Sequence, residues 1–438
     1  MNQREIQPLE LPPDAVVPIP GSKSITNRAL VTAALATGTS TLRGVLFADD
    51  TEAMLDALAR LGVALEVDRS AASVVVHGLA GTVPAGPAHL DVRLSGTTAR
   101  FLAPMLALGR GTYVLDAAPP FRARPMAPLF EALRQLGVTV DEHERAGHLP
   151  ASLTSSGARG GHLTVPADGS SQFLSGLLLS GPAMADGLHV RIAGDLVSRP
   201  YVAMTIAVMD AFGAQVTTDG DGSGFEVAPG GYGAVTYGIE PDASAASYFL
   251  AAAAITGGRV RIEGLGRGAL QGDVAFADVL ERMGAEVRWH PDAVEVRGTG
   301  TLRGIEVDMA DISDTAQTLA AVAVFATSPT RVRGIGFIRH KETDRVGAVV
   351  AELQRLGIDA REEADGFVVH PGTPSPGRVR TYDDHRMAMS FALLGLRVPG
   401  IVITDPDCVA KTFPDYFAVL EGLRRQDPAP AGGAPTRG

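Results

Sequence analysis

Along the chain, the spacing of hydrophobic positions changes from that of an amphipathic helix to that of a strand. This change recurs at a nearly fixed interval. Five times an amphipathic helical pattern ends at a glycine, and residues that suit a strand follow, as in Val63-Ala64-Leu65-Glu66-Val67. The glycine suits the left-handed position just past a helix end. The glycines lie 75, 76, 71 and 73 residues apart, at Gly62, Gly137, Gly213, Gly284 and Gly357. The pattern predicts a helix–glycine–strand unit repeated along the chain.

The repeat predicts an α/β protein of about six units in two lobes of similar build. A sixth unit starts near Val419 and stops, so we expect strands from Ile6 to Ile19 to complete the last set of sheets. Three units per lobe place the first lobe at 21–240 and the second, discontinuous lobe at 1–20 plus 241–426. Residues 427–438, rich in Pro, Ala and Gly, indicate a disordered tail.

Composition narrows the classes of protein. Apolar residues make up 45% and charged residues 20% of the 438 positions, as in ordinary soluble globular proteins. No apolar run approaches the roughly 18 residues of a membrane span, and Met1 to Glu10 lacks a secretory pattern. A single cysteine, Cys408, predicts a small core residue and a reducing, cytoplasmic location. The net charge of −11 argues against nucleic-acid binding and makes clustered cations informative.

The stretch from Gly21 to Arg28 is the first of these clusters. It lies where a proline-rich segment ends and an alanine-rich helix begins. Gly21 permits a tight turn, Ser22 or Ser24 can cap the helix, and Lys23 lies at the positive end of the helix dipole. A free helix start with two cations predicts a site for phosphate or carboxylate. Taken by itself, a capped helix with two solvated cations fits equally well.

Further cations and small polar residues lie in irregular stretches. Ser95–Arg100 and Gly169–Phe173 each open an apolar helix, and Arg122–Met126 sets two arginines before a helix-starting proline. In Lys341–Arg345 the two cations are one helical turn apart and can face the same anion. In Tyr382–Met389, Arg386 lies at a helix start, where a cation is unfavourable unless it binds a ligand. Asp314 precedes an apolar helix, where a capping role is the simpler interpretation. The cations in motif-like stretches are Lys23, Arg28, Arg124, Lys341, Arg345, Arg386 and Lys411.

Competing motifs are weak. Val16 holds the position where a Walker loop would need its first glycine, and no G-x-G-x-x-G opens a helix after a clear strand. The ten histidines show no metal-ligand spacing. The segment 219–224 lacks the later glutamate of a calcium loop, so it indicates a hairpin turn. The sequence predicts no metal or other cofactor.

In their order along the chain these motifs resemble the 5-enolpyruvylshikimate-3-phosphate synthase family, from residue 18 to about 424. No single motif is decisive, but the ordered set is specific. The matching stretches are Pro20–Ser24 with Asn27-Arg28, Gly96-Thr97 with Arg100, Arg124-Pro125, Ser170–Phe173, Lys341–Arg345, Asp384–Met389 and Lys411–Tyr416.

The resemblance implies a two-lobed inside-out α/β barrel with three βαβαββ units per lobe. It also implies transfer of the enolpyruvyl group of phosphoenolpyruvate to the 5-hydroxyl of shikimate 3-phosphate, with release of phosphate. Asp314 would accept a proton, Glu342 would donate one, and Lys23 would complete the catalytic set. The implied contacts to shikimate 3-phosphate are Lys23, Ser24, Arg28, Ser170, Ser171, Gln172, Ser198, Asp314 and Lys341. The implied contacts to phosphoenolpyruvate are Lys23, Gly96, Arg124, Gln172, Arg345, Arg386 and Lys411.

Two departures from the family pattern and two alternatives bear on this interpretation. Leu94 and Phe337 stand where the enterobacterial pattern has asparagines, which removes two possible substrate hydrogen bonds. A sister transferase acting on UDP-N-acetylglucosamine shares the fold, but it typically carries a cysteine where this chain has Ala117–Arg122. A phosphate-sensing scaffold would not need both Asp314 and Glu342. The expected partners are small anionic substrates, with neither nucleic acid nor membrane, and the expected state is a monomer.

Overall fold

Each of the five repeated glycines ends a helix and precedes a strand in the computed structural model, which describes residues 2–166, 170–220 and 222–424. Their φ angles run from +81° to +112°, a left-handed region that only glycine occupies freely. The helix–glycine–strand prediction is therefore confirmed at all five positions. The predicted tail at 427–438, Gly169 and Asp221 lie outside the described residues.

The first half of the chain alternates short strands with helices. Two strands precede the first helix: β1 (Gln3–Ile6) and β2 (Asp14–Val16). Up to residue 238 there follow α1 (Lys23–Leu35), β3 (Ala36–Thr37), β4 (Thr39–Arg43), α2 (Asp49–Arg60), β5 (Ala64–Asp68), β6 (Ser73–His77), β7 (Ala88–Asp91), α3 (Gly96–Ala107), β8 (Arg110–Asp116), α4 (Pro119–Arg122), α5 (Ala127–Gln135), β9 (Thr139–Glu142), β10 (Ala151–Ser156), β11 (Gly161–Pro166), α6 (Ser171–Ser180), β12 (Leu188–Ala193), α7 (Arg199–Ala211), β13 (Val216–Thr218), β14 (Gly224–Val227), β15 (Tyr232–Gly233) and β16 (Thr236–Gly238).

The second half repeats the alternation. It contains α8 (Ala243–Thr256), β17 (Arg259–Glu263), α9 (Phe276–Met283), β18 (Glu286–Trp289), β19 (Ala293–Arg297), β20 (Glu306–Asp308), α10 (Ala316–Ala323), β21 (Thr330–Arg333), α11 (Arg345–Arg355), β22 (Ala360–Glu363), β23 (Gly366–Val369), β24 (Gly377–Val379), α12 (His385–Gly395), β25 (Ile401–Thr404) and α13 (Tyr416–Gly422). Within the described ranges, no helix combines the length and apolar character needed to cross a bilayer.

The apolar side chains pack into two separate cores. One core draws its buried residues from 25–239, and the other draws them from Ile6, Val17 and 243–423. Three helices that are buried over most of their length pack together in each core: α1, α3 and α6 in the first, and α8, α10 and α12 in the second. A helix buried on all faces must be apolar all round, which explains the Ala-rich runs of α1 and α8.

Five four-stranded sheets share one arrangement, in which a parallel pair of strands is followed by two antiparallel neighbours. Their orders are β16-β4-β6-β5, β7-β8-β10-β9, β11-β12-β14-β13, β2-β17-β19-β18 and β20-β21-β23-β22. The last strand of each sheet is the one that follows a repeated glycine. The fivefold recurrence indicates that each sheet belongs to one sequence repeat.

Among the described residues the sheet of the sixth unit has three strands, β24-β25-β1, and none of them corresponds to the strand that follows each repeated glycine. The segment before α1 does contribute strands, but not as predicted. β1 completes the sixth sheet and reaches only as far as Ile6, whereas β2 pairs with β17 in another sheet. The prediction that Ile6 to Ile19 fills the last sheet is therefore wrong in position, because Pro8, Pro12 and Pro13 break the segment into two short strands.

The chain passes between the two cores at two places, and these crossovers are hydrogen-bonded to each other. Gly21 forms a β-bridge with Pro241, the Ser22 amide donates to the Glu240 carbonyl at 2.8 Å, and the Asp242 amide donates to the Pro20 carbonyl at 2.8 Å. Glycine is required at position 21 for close approach and not for the tight turn that the sequence suggests, since a Cβ there would lie 1.8 Å from the carbonyl oxygen of Gly44. The two crossovers therefore form one paired connection.

Candidate active site

The starts of five of the six central helices carry much of the predicted site. Lys23 begins α1, Gly96 begins α3 and Ser171 begins α6, while Asp314 lies two residues before α10 and Arg386 is the second residue of α12. Each helix start presents the positive end of a dipole, which favours anions. The helix arrangement by itself therefore indicates a site for negatively charged ligands.

The start of α1 is capped as the sequence predicts. The Ile25 amide donates to the hydroxyl of Ser22 at 3.4 Å, and the Lys23 amide donates to Asp242 at 3.0 Å. The Lys23 ammonium lies 3.3 Å from the carboxylate of Asp50. Lys23 and Ser24 both line a cavity shared by the two cores. The first helix thus directs a cation and a hydroxyl into the space between the cores.

Arg28 is 1% exposed and is held entirely by neutral groups. Its guanidinium donates to the hydroxyls of Thr205 at 2.8 Å and Ser175 at 3.3 Å, and to the carbonyl oxygens of Ser24 at 2.8 Å and Tyr201 at 3.0 Å. Burial lowers the pKa of Arg28 to about 10, which still leaves it charged at neutral pH. No carboxylate among the described residues lies within ion-pair distance of it, so its charge is available to an anion.

Asp314 is the carboxylate around which the second-core cations gather. Arg386 contacts it at 2.6 Å, Arg345 at 3.1 Å and Lys341 at 3.8 Å. Burial would raise the pKa of Asp314, but these cations and Lys23 outweigh that effect and hold the pKa well below its usual range. An ionised carboxylate held in a buried cluster of cations has the charge state that a proton acceptor needs.

Glu342 lies between cations from both cores. Its carboxylate contacts Arg345 at 2.8 Å and Arg124 at 3.6 Å. Burial opposes ionisation, yet Arg345, Arg124 and Lys411 together hold the pKa of Glu342 well below its usual range. Glu342 is therefore ionised in this arrangement, and a proton-donating role requires a change in the charges around it.

One detail of the sequence interpretation is corrected by the structure. Lys341 does not share a helical turn with Arg345, because Asp344 caps α11 by accepting from the Gly347 amide at 3.0 Å and Lys341 follows a short 3₁₀ helix, Gly336–His340. The two cations nevertheless face one anion, the carboxylate of Asp314.

Gly96 belongs to the first core and Lys411 to the second, and both lie at the site. The Lys411 ammonium donates to Asp50 at 2.7 Å and to the Leu94 carbonyl at 2.8 Å. A Cβ on Gly96 would lie 3.1 Å from guanidinium nitrogens of both Arg100 and Arg124. Glycine therefore leaves room for two arginines beside the start of α3, and Leu94 still supplies a polar contact through its backbone.

The remaining predicted residues lie at the starts of α6 and α7. The hydroxyl of Ser170 caps α6 by accepting from the backbone amide of Gln172 at 3.3 Å, and the side-chain oxygen Oε1 of Gln172 accepts from Arg100 at 2.7 Å. Ser171 is buried at the first position of α6. Ser198 is buried just before α7 with φ of 53°, and within the part of the chain that the structure describes no hydrogen bond joins its side chain to the cation cluster.

Several residues of the site were missed in the sequence. Asp50 pairs with two of the predicted lysines, and Tyr201 donates toward Asp273 at 3.1 Å and Asp314 at 3.3 Å. Asp273 is 2% exposed and one of its carboxyl oxygens has no hydrogen-bond partner. Burial and the neighbouring Asp314 raise the pKa of Asp273 to about 6. In the sequence, Asp50 looks like an ordinary acidic residue at a helix start. Tyr201 and Asp273 have no spacing that links them to a motif.

The space enclosed by this cluster is small. The cavity is lined by residues of both cores, among them Lys23, Tyr201, Asp273 and Arg386, and has an interior of about 10 Å³. That volume accommodates about one water molecule. A phosphorylated ring therefore requires the side chains, or the two cores, to move apart.

Comparisons with known proteins match nearly the whole chain to one family. The family model described as EPSP synthase (3-phosphoshikimate 1-carboxyvinyltransferase) matches residues 12–420. A protein from Nostoc punctiforme named 3-phosphoshikimate 1-carboxyvinyltransferase is 47% identical over 418 residues, which cover 95% of this chain and 98% of that protein. A protein of the same name from Yersinia pseudotuberculosis is 45% identical over 420 residues, covering 94% and 96%.

Solved structures extend the likeness to the fold. The structure of EPSP synthase from Acinetobacter baumannii has a TM-score of 0.81 at 27% identity, covering 97% of this chain and 98% of that one. The enolpyruvyl transferase NikO from Streptomyces tendae shares the fold, with a TM-score of 0.74 at 21% identity and 96% coverage of both chains. The fold is thus the two-lobed inside-out α/β barrel that the sequence resemblance implies, and the chain belongs to the EPSP synthase family.

Proposed function

We propose that this protein transfers the enolpyruvyl group of phosphoenolpyruvate to the 5-hydroxyl of shikimate 3-phosphate and releases phosphate. The observation that carries the proposal is the cluster around Asp314 and Glu342, where two carboxylates lie among cations drawn from both cores. Each substrate bears a phosphate and a carboxylate, and buried cations with helix starts are what such ligands require. The family to which the chain belongs carries the name of this reaction.

We propose that Asp314 accepts the proton of the 5-hydroxyl. Its carboxylate is ionised because Arg386, Lys341 and Arg345 surround it. As the C–O bond forms between the 5-oxygen and C2 of phosphoenolpyruvate, the hydroxyl proton must leave the oxygen, and a nearby carboxylate lowers the barrier to that transfer. Lys23, at the start of α1, provides a positive charge that both substrates can share.

We propose that Glu342 protonates the methylene carbon of phosphoenolpyruvate. In the arrangement described, Arg345 and Arg124 keep Glu342 ionised. When the anionic groups of the substrate bind those same arginines, their charge is compensated, and the pKa of the buried carboxyl rises. Binding would thereby prepare the acid. Loss of a proton from the methyl group and of phosphate from C2 then restores the double bond in the product.

The residues that hold each substrate are proposed by position. For shikimate 3-phosphate they are Lys23, Ser24, Arg28, Ser170, Ser171, Gln172, Ser198, Asp314 and Lys341. For phosphoenolpyruvate they are Lys23, Gly96, Arg124, Gln172, Arg345, Arg386 and Lys411. The uncompensated charge of buried Arg28 and the room beside Gly96 support these assignments.

We further propose that the two cores are lobes that close on the substrates, with bounds at 21–240 and at 1–20 plus 241–426. The paired crossovers at Gly21 and Pro241 would be the hinge. We propose a monomer that acts in the cytoplasm and does not bind nucleic acid. The acidic net charge of −11 supports the last point.

The proposal is tested by measuring phosphate release from phosphoenolpyruvate with shikimate 3-phosphate or with UDP-N-acetylglucosamine as acceptor. We expect release only with shikimate 3-phosphate. Release only with the nucleotide sugar would assign the chain to the sister reaction. Tight binding of phosphorylated ligands with no release from either mixture would favour a binding protein on this fold.

A further inference from the structure

The chain enters α12 through a strained turn. The Asp384 amide donates to the Thr381 carbonyl at 2.9 Å, and the two residues between them, Tyr382 and Asp383, both have φ of 56°. Turns with positive φ at both central residues usually carry glycine, asparagine or aspartate there. A bulky tyrosine in the left-handed region is unfavourable and persists only where the surrounding structure holds it. Some other element must therefore hold this turn.

Glu352 of α11 is that element. It is 0% exposed, and its carboxylate accepts from the Tyr382 hydroxyl at 2.6 Å, from the Arg380 amide at 3.0 Å and from the Arg355 guanidinium at 3.1 Å. A buried carboxylate with three donors forms strong, charge-assisted hydrogen bonds. The bond from Tyr382 holds the strained turn itself, and the bond from Arg380 holds the chain just before it.

The same helix holds the far side of the turn. Arg345, two turns before Glu352 on α11, donates to both carboxyl oxygens of Asp384, at 2.8 and 3.3 Å. Asp384 in turn caps α12 by accepting from the Arg386 amide at 2.9 Å. Residues seven positions apart lie on one face of a helix, so α11 contacts the turn on both sides from a single face. The position of Arg386 is thereby tied to Glu352.

We propose that Glu352, acting through Tyr382, is a positioning residue that sets the orientation of Arg386 and of the start of α12 toward phosphoenolpyruvate. Glu352 is fully buried and is not among the residues proposed to hold either substrate. The inference rests on the proposed function, which assigns Arg345 and Arg386 to phosphoenolpyruvate. Because the shikimate 3-phosphate contacts lie largely on other helices, the effect should be confined to one substrate.

The main test is steady-state kinetics of Tyr382→Phe, which removes one hydroxyl from a side chain that is 38% exposed. Losing a hydrogen bond to a charged group should raise KM for phosphoenolpyruvate by about tenfold. We expect KM for shikimate 3-phosphate to change by less than about twofold and the melting temperature to fall by no more than a few degrees. Glu352→Gln should raise KM for phosphoenolpyruvate in the same direction. The matched control is Tyr113→Phe, which loses a hydroxyl bonded to the Pro84 carbonyl in the first core; both KM values should stay unchanged.

A second comparison separates backbone strain from simple loss of the side chain. Tyr382→Ala removes the hydroxyl and keeps the strained φ, whereas Tyr382→Gly removes the hydroxyl but occupies φ of 56° freely. If the Glu352 contact serves to hold the strained turn, the glycine variant should have the KM for phosphoenolpyruvate closer to that of the wild type.

The outcomes are decisive in both directions. Unchanged KM for phosphoenolpyruvate in Tyr382→Phe and Tyr382→Ala, in a wild type that turns over both substrates, would overturn the inference and leave the proposed function intact. Equal rises in KM for both substrates would also overturn it, because a general disturbance predicts that result. A wild type that releases no phosphate would instead refute the proposed function.

Discussion

Lys411 and Asp50, 361 residues apart in the chain, form a buried ion pair of 2.7 Å between the two cores. Among the described residues, replacing Lys411 by methionine leaves the Asp50 carboxylate with the longer contact to Lys23 as its one ion pair. Removing one partner of a buried pair should lower the free energy of unfolding by about 3 kcal/mol, measured by urea denaturation. Arg159→Met, at the exposed pair with Asp186, should cost less than about 1 kcal/mol. Equal costs at both sites would contradict the buried link.

Asp314→Asn and Glu342→Gln should each abolish most turnover while shikimate 3-phosphate still binds. Both changes keep the size of the side chain and remove its ability to exchange a proton. General acid or base catalysis contributes about 10² to 10⁴ in rate, so kcat should fall by at least about a hundredfold. Calorimetric titration with shikimate 3-phosphate would establish binding. Full activity in both variants would refute the proposed proton transfers.

Asp273 should make the folded state less stable as pH rises from about 4 to 6. Its pKa is raised from 3.8 to about 6 in the folded protein, so the folded state holds a proton that the unfolded state has already lost. The stability conferred by this proton is complete below pH 4 and is lost as pH passes 6. The shift of about two pKa units corresponds to about 3 kcal/mol.

Asp273→Asn provides the measurement for that prediction. Urea unfolding of the variant and the wild type at pH 4.5 and pH 7 gives the difference in stability at each pH. We expect the variant to gain on the wild type at pH 7 relative to pH 4.5. A difference that does not vary with pH would show that Asp273 titrates normally.

Gly21→Ala should disturb the crossover between the cores. The added Cβ would lie 1.8 Å from the backbone oxygen of Gly44, so the backbone must shift, at a cost of about 1 to 3 kcal/mol. Lys23, which we propose contacts both substrates, lies two residues after Gly21. KM for both substrates should therefore rise. Gly268→Ala is the control, since a Cβ there meets nothing within 4 Å and the residue is exposed. If both variants behave alike in thermal melts, close packing at Gly21 is not the reason for glycine.

Saturating shikimate 3-phosphate should make the protein more compact. A phosphorylated ring can enter only when the contacts between Arg124 and Glu342 and between Lys411 and Asp50 open, so we expect the ligand-free protein to sample less compact arrangements than the one described. An anionic ligand between the cores then adds attraction from both sides and favours the compact arrangement. Small-angle scattering with and without ligand measures the radius of gyration. An unchanged radius at saturation would argue against closure of two lobes.

The glycine spacing and the order of the motifs were readable from the sequence because each depends on local chemistry. Gly62 and its four counterparts need a left-handed backbone, and Ser22 needs only the amide of Ile25, three residues away. The sequence does not predict which carboxylates the cations pair with. Arg386 meets Asp314 across 72 positions and Lys411 meets Asp50 across 361, and no local pattern encodes such partners.

The segment before α1 illustrates the same limit. Its strands have three or four residues each, too few for a clear alternation, and their partners β25 and β17 lie far along the chain. Similarly, the strain at Tyr382 leaves no mark in the sequence, since a tyrosine in a turn is unremarkable until its φ angle is known.

The pairing of β1 with β25 has a consequence for synthesis on the ribosome. The first core is contiguous in the chain and can fold as soon as residue 239 has emerged. β1 must wait for a partner about 400 residues later, which is roughly 20 to 80 s at about 5–20 residues per second. During that interval its edge is open to pairing with other nascent chains. The first few residues therefore stay without their strand partner until the chain is nearly complete, although they are among the earliest to be made.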